Sequence, residues 1–255
     1  DDVGPNQGTL ANGAFTDDTT PTLSGTAEAG SLVTSYDGTT VLGSVAANAT
    51  TGAWTYTTNP LSTGAHALNV TVTDAAGNTS VASTTVNITV DTTAPDASTL
   101  VLTNDNVTPN TNIAAGSSTN DNTPRLSGVA EPGTVITLYD NGNLLGSTTT
   151  NATTGAWSFN VTTALTDGFH PISVTVTDAA GNVSRTTTAS VTVDTVAPTG
   201  LTLSAANNNG TTVVAIANNG VTNDSTPLLR GKGEIGATVY VYDGPTLLCS
   251  TTVTS

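Results

Sequence analysis

Residues 170–182 read HPISVTVTDAAGN, and residues 66–78 read HALNVTVTDAAGN. In both, apolar residues alternate with polar ones as far as a threonine, and Asp-Ala-Ala-Gly-Asn follows. A period of two is the pattern of a strand with one buried face. The Asp, Gly and Asn behind it are tight-turn residues, with Gly77 and Gly181 free to adopt the backbone angles such a tip needs. Each stretch therefore predicts a long strand ending in a hairpin tip, and its recurrence predicts repeated β units.

Other motifs return at nearly the same interval. NATTGAW stands at 48–54 and 151–157, and VDTTAP at 90–95 becomes VDTVAP at 193–198. TPTLSGTAEAG (20–30), TPRLSGVAEPG (123–133) and TPLLRGKGEIG (226–236) form a set of three. Such self-similarity marks a repeat architecture. The expected organisation is a repeat at 1–90 lacking its first strand, a complete repeat at 91–193, and the N-terminal part of a third at 194–255. The chain contains no Met, so it is expected to be a window on a longer array. In the middle repeat strands are expected near 98–103, 123–130, 134–139, 143–150, 156–161, 170–177 and 184–193. A long polar connection runs from the first of these to Asn122. Seven short strands without helical periodicity predict an all-β fold, tandem immunoglobulin-like β-sandwiches in an elongated array. Trp54 and Trp157 are expected as core anchors, and His66 and His170 as corner residues bonding backbone.

Only 9% of the residues are charged, and they are unbalanced: 19 acids against one Lys and three Arg. A net charge of −15 leaves no basic surface for phosphates, which excludes nucleic acid and disfavours anionic membranes. No run approaches the ~18 apolar residues of a membrane span, so no membrane insertion is expected in this segment. Cys249 is the single cysteine and makes no internal disulfide. No catalytic Ser–His–Asp spacing or phosphate-binding glycine loop is present, and the chain is not expected to be an enzyme.

The acids follow the repeat. The only three Glu, Glu28, Glu131 and Glu234, share one register; Asp18, Asp121 and Asp224 share a second; Asp37, Asp140 and Asp243 share a third. Asp91 pairs with Asp194, Asp74 with Asp178, and Asp1 with Asp105. Strand direction places the AEPG loop, the TDAAGN tip and the incoming linker at one end of a sandwich. Glu131, Asp178 and Asp91 are thus expected to converge where the first two repeats meet, with Asp18 and Asp1 approaching from the other side. Two carboxylates ~5 Å apart repel by about 3 kcal/mol at an effective dielectric near 20. Ca²⁺ removes that cost and takes about 6–8 oxygen ligands in irregular geometry. The candidate ligands are Asp91, Glu131, Asp178, Asp194, Glu234, Glu28, Asp74, Asp18, Asp121, Asp224 and Asp105. Asp37, Asp140 and Asp243 lie in YDG or YDN and read as hairpin-turn residues.

The combination DTTAP, NDNTPRLSGVAEPG, TGAW and TVTDAAGN resembles the bacterial Ig-like repeats of giant secreted adhesins and biofilm-associated proteins. The resemblance covers essentially the whole chain. It implies tandem stalks exported to the bacterial cell surface, often by type I secretion, with Ca²⁺ bound in and between repeats. The expected function is a calcium-rigidified stalk spacing a distal adhesive region from the cell, with neighbouring repeats as partners. The alternative is an Ig-like module that itself recognises a glycan or host receptor. A receptor site would break the repeat, whereas a stalk repeats its features.

Overall fold

The computed structural model describes residues 1–254; Ser255, the last residue of the expected third repeat, lies outside them. Among the described residues there are strands and no helix. The first repeat contains β1 (Ala14–Thr16), β2 (Thr22–Thr26), β3 (Leu32–Asp37), β4 (Thr40–Ala46), β5 (Ala53–Thr57), β6 (Gly64–Thr73) and β7 (Val86–Val90). The second contains β8 (Val101–Asn104), β9 (Thr111–Ile113), β10 (Ser118–Thr119), β11 (Arg125–Val129), β12 (Val135–Asp140), β13 (Asn143–Thr149), β14 (Ala156–Asn160), β15 (Gly168–Thr177) and β16 (Thr187–Val193). The third contains β17 (Thr202–Asn207), β18 (Val214–Ile216), β19 (Leu228–Lys232), β20 (Thr238–Asp243) and β21 (Thr246–Thr252). Two compact units result, Asp1–Asp194 and Thr195–Ser255.

The middle repeat packs a five-stranded sheet, ordered β10-β16-β15-β12-β13, on a four-stranded one, ordered β14-β11-β8-β9. All seven expected strands are present, the first starting at Val101 and the last at Thr187. The long polar connection to Asn122 proves to contain strands. It carries β9, which turns back antiparallel on β8, and β10, which runs parallel to β16. Segments of two or three residues are too short to show alternation, so their pairing is invisible to a periodicity argument. Inward residues of both sheets form one core that includes Leu102, Leu126, Ile136, Trp157, Val174 and Val191. This alternation, buried residues at every second position of β15, is what the SVTVT pattern demands.

The first repeat keeps its five-stranded sheet, β1-β7-β6-β3-β4, but the opposite sheet has only β2 and β5. No strand stands where β8 stands in the second repeat. Its core accordingly falls into two clusters, one around Leu68, Ile88 and Val90, the other around Val33 and Trp54. Leu126 is fully buried in the second repeat, while its counterpart Leu23 is only partly covered. The third repeat comprises the sheet β18-β17-β19 and the hairpin β20-β21.

One glycine explains a difference between repeats. A Cβ on Gly43 would collide with the ring of Tyr56, and one on Gly146 with that of Phe159, so both positions are kept bare. Cys249 holds the same register in the third repeat and is exposed. We expect Leu126→Ala to cost the second repeat about 2–5 kcal/mol by opening a cavity in a single continuous core. Denaturant unfolding monitored by Trp157 fluorescence checks this, and Leu23→Ala, at a partly exposed position, is expected to cost less.

Candidate metal centre at the junction of the first two repeats

The junction is built by two local structures. β1 runs parallel to β7, with Thr16 beside Val90, and the chain is fastened there by the Asp91 N–H donating to Thr16 O at 2.9 Å. Asp17 and Asp18 therefore leave β1 next to the linker that starts at Asp91. From the second repeat, β15 ends at Thr177 and delivers the hairpin tip 178–182. The Asp17 N–H donates to Ala180 O at 3.2 Å, and Asn182 Nδ2 donates to Asp91 O at 2.8 Å. Ala180 is 1% exposed, and Gly181 is buried against Pro5, Asn6 and Asp17. Pro95 of the linker is buried as well.

Within that junction the acids do different work. Asp178 Oδ1 accepts the N–H groups of Ala180, Gly181 and Asn182 at 2.8–2.9 Å, and Oδ2 accepts Asn182 Nδ2 at 2.9 Å. It braces its own hairpin. Asp91 Oδ1 accepts the Thr93 N–H at 2.9 Å. Asp17 is the exception: its Oδ1 is buried without a hydrogen-bond partner, and a side chain on Gly4 would collide with its Oδ2. A buried carboxylate oxygen left unpaired is costly, more so when ionised. Pairing of Val135 with Thr177 brings the Glu131 loop to the same end, where the Glu131 carbonyl accepts the Thr134 and Thr150 hydroxyls and the residue itself is exposed.

The remaining candidates are placed as follows. Asp18 and Asp121 are buried (1% and 0% exposed), and each accepts the N–H of the threonine two residues on, Thr20 at 2.8 Å and Thr123 at 3.0 Å. Asp121 also accepts the Asp105 N–H at 3.1 Å and Asn106 Nδ2 at 2.8 Å. Asp224 repeats the arrangement with Asn208 and Thr226, whose N–H bonds hold its carboxyl below the usual range. Asp74 braces its tip as Asp178 does, and the Asn78 side chain and N–H lower its pKa. The Asp194 N–H bonds Thr119 O, the counterpart of the Asp91–Thr16 bond. Glu28 and Glu234 are exposed in their loops.

Among the described residues, no three His, Cys, Asp or Glu side chains come together as a ready metal cluster. The junction gathers Asp17, Asp91 and Asp178 through loop and backbone contacts, not as a closed cage. A hard cation nevertheless fits its donor chemistry: an unpartnered buried Asp17 oxygen with the Asp91 and Asp178 carboxylates on the loops that meet there. Asp17 was missed by reasoning from phase, because it has no acidic counterpart. TDD at 16–18 becomes TND at 119–121 and 222–224. The signal was that an oxygen-bearing side chain holds this register in all three copies.

The histidines are structural corners. His66 Nε2 meets Ser62 O and Nδ1 meets Asp37 Oδ2, both at 2.7 Å; His170 does the same with Thr166 O and Asp140 Oδ2. Asp37 and Asp140, read as turn residues, thus also tie the β3–β4 and β12–β13 hairpins to β6 and β15. The Ala67 N–H gives Asp37 Oδ1 a partner at 2.8 Å, whereas Pro171 has no N–H and leaves Asp140 Oδ1 buried and unpaired. Burial works against the charged imidazole, but the Asp37 and Ser62 bonds outweigh it and raise the His66 pKa; the Thr166 and Asp140 bonds do so for His170. Burial likewise opposes ionised Asp37, and its bonds to His66 and Ala67 prevail and lower its pKa.

The sign of the linkage follows. The histidine contribution is fully present below the unfolded pKa of 6.5 and is lost as pH rises through the higher folded value. The Asp37 contribution is present above 3.8 and is lost as pH falls through the lower folded value. We expect melting temperature to decline from pH about 6 to about 9, spanning the free histidine pKa. His66→Phe with His170→Phe is expected to flatten that slope in a calorimetric pH series.

The family described as bacterial Ig-like domain matches residues 2–92 and again residues 96–195. Sequence comparison with curated proteins finds no match. Among solved structures, the fibronectin(III)-like modules of Clostridium thermocellum CbhA align over 72% of this chain and 90% of theirs, at 16% identity and TM-score 0.47. The BSP domain of a biofilm associated protein aligns over 73% of this chain and 29% of its own, at 18% identity and TM-score 0.28. A Ca²⁺-stabilized adhesin that helps an Antarctic bacterium reach out and bind ice aligns over 74% of this chain and 48% of its own, at 27% identity and TM-score 0.34. The chain thus spans less than half the length of these last two structures.

Proposed function

The chain belongs to the bacterial Ig-like domain family, and we propose that it is a stalk segment of a cell-surface adhesin, stiffened by Ca²⁺ where successive repeats meet. The repeats are taken as 1–90, 91–193 and 194–255, and the setting as the outside of a bacterial cell. The observation that carries this reading is the junction of the first two repeats. It buries Ala180, Gly181 and Pro95, yet holds an unpartnered Asp17 oxygen beside the linker.

Asp17, Asp91 and Asp178 would hold the ion, with carbonyl oxygens and water completing its shell. The cation would supply positive charge among these carboxylates. The chain's own residues do the rest. Asn182 ties the second repeat's tip to the linker carbonyl, Ala180 ties it to β1's exit, and Pro95 restricts the linker backbone. Glu131 lies on a loop at the same end, and Asp194, Glu28, Glu234 and Asp74 extend the same proposal to loops of the other repeat ends. Asp18, Asp121 and Asp224 serve it by fixing the turns beside those loops, and Asp105 by donating its N–H to Asp121.

A ligand that binds only the folded state stabilises it by about 2.7 kcal/mol at a hundredfold excess over its dissociation constant. Titration calorimetry with CaCl₂ is expected to show saturable binding, with a melting temperature raised by several degrees and restored by EGTA. Asp17→Asn removes the charge but keeps an oxygen, and is expected to weaken binding about tenfold, or about 1.4 kcal/mol. Absence of binding at millimolar calcium, or an unchanged affinity in Asp17→Asn, removes the junction as the site.

A further inference from the structure

Charge is spread unevenly around the second repeat. Residues 141–166 hold no Asp, Glu, Lys or Arg, and they include all of β13 and β14. Residues 38–73, with β4 and β5, are equally bare in the first repeat. The acids of the second repeat lie instead in the linker, in loops and at the last position of β12. A chain of net charge −15 repels its own copies, and the β13–β14 flank is where two copies can meet without opposing carboxylates.

That flank also carries an open sheet edge. β13 ends the order β10-β16-β15-β12-β13, and β14 ends the order of the opposite sheet. The edges on the other flank belong to β9 and β10, of three and two residues, whereas β13 has seven. Natural edges are blunted by shortness, Pro, Lys, other charges or a bulge. β13 has no Pro and no charge, and its bulge at Leu145 bends only the half next to the turn. From Gly146 to Thr149 it runs in register beside Leu138 to Val135. The first repeat adds a cap to its own edge, the Tyr56 hydroxyl donating to Leu42 O at 2.7 Å. Phe159 holds that place in the second repeat and has no hydroxyl to offer. Leu144, on the same strand, is 66% exposed.

We infer that β13 is a self-association edge, pairing antiparallel with β13 of a second copy of this chain about a two-fold axis at Ser147. Charge selects the occupant. A basic partner is drawn to the acidic loops, whereas a second acidic chain is turned away from them and brings an uncharged edge of its own. Symmetry selects the register. Opposed residues in a ladder point to the same face, so an axis perpendicular to the sheet sets one residue opposite itself. Ser147 is exposed and lies within the regular half of the strand. Gly146 of one copy then faces Thr148 of the other, and main-chain hydrogen bonds supply the affinity. The same axis reverses strand direction. β6 starts and β15 ends at the junction of the first two repeats, so strands run along the array and paired chains lie antiparallel. On the stalk reading above, on which this last consequence alone rests, such pairs join stalks rooted on facing cells.

Sedimentation of the full chain in EGTA and about 0.5 M NaCl, which screens exposed charge, is expected to show a concentration-dependent monomer–dimer equilibrium. EGTA keeps this result separate from calcium binding at the junction. Lower salt is expected to weaken the dimer, the reverse of an interface built on ion pairs. Ser147→Asp sets two carboxylates face to face and is expected to weaken association at least about tenfold. Thr188→Asp, at an exposed position of β16, adds the same charge and is expected to leave association within about twofold of the unaltered chain. Ser147→Cys in a Cys249→Ser background is expected to form a disulfide-linked dimer on mild oxidation, since facing residues lie about 4.5–5.5 Å apart at Cα, within disulfide reach. Amide exchange is expected to slow at Gly146–Thr149 in the dimer. A chain that stays monomeric up to about millimolar concentration overturns the inference. So do a Ser147→Asp chain that dimerises as the unaltered one does, cross-linking through Thr188→Cys as ready as through Ser147→Cys, and protection confined to strands of the third repeat.

Discussion

A single backbone pairing organises the loops of these repeats: the parallel run of a short strand against the last strand of its own sandwich. Thr16 lies beside Val90 and Thr119 beside Val193, and each pair ends with a linker aspartate donating its N–H back, Asp91 to Thr16 and Asp194 to Thr119. This closure puts the start of the linker next to the residues that follow β1 and β10. It therefore decides that Asp17 and Asp91 share one end of the first sandwich. The hairpin tip of the second repeat meets them there, and Asn182 and Ala180 complete the contact.

Charge then sets what the contact can do. Several acids are satisfied locally by N–H groups, as Asp178 is by three of its own hairpin and Asp121 by Asp105 and Thr123. These bonds hold turns open in fixed shapes and cost the rest of the molecule nothing in cations. Asp17 lacks such donors on one oxygen. Two hydrogen bonds, Asp17 to Ala180 between the repeats and Asn182 to the linker Asp91, each worth roughly 1 kcal/mol net, hold the junction directly. Small polar interfaces of this kind leave neighbouring domains free to move. A cation bound there adds an attraction that both sides share.

Much of the fold was legible in the sequence because strands declare themselves by alternation. HPISVTVT and SVTV gave β15 and β16, and strand direction placed the tip, linker and Glu131 loop at one end, as the Val135–Thr177 pairing requires. β9 and β10 were not legible, since two or three Thr, Asn and Ser residues have no period. The site was less readable than the fold. Phase with the repeat selected Asp18, Asp121 and Asp224, which are buried turn braces, because turns recur in a repeat as faithfully as ligands would. It passed over Asp17, whose distinction is a missing donor, a property of packing that the shared Asp or Asn register at 17, 120 and 223 only hints at. The doubled role of Asp37 and Asp140 was hidden for a similar reason: the partner histidines lie a full hairpin away in sequence.

The central claim is that a cation at Asp17 and Asp91 fixes the second repeat relative to the first. Small-angle X-ray scattering of the whole chain in calcium and in EGTA, repeated on Asp17→Asn, tests it most directly. The account predicts that calcium narrows the distance distribution and lengthens the maximum dimension of the unaltered chain, and that Asp17→Asn loses most of that response. Identical curves with and without calcium, at concentrations where calorimetry shows the ion bound, would contradict it, as would a full response in Asp17→Asn.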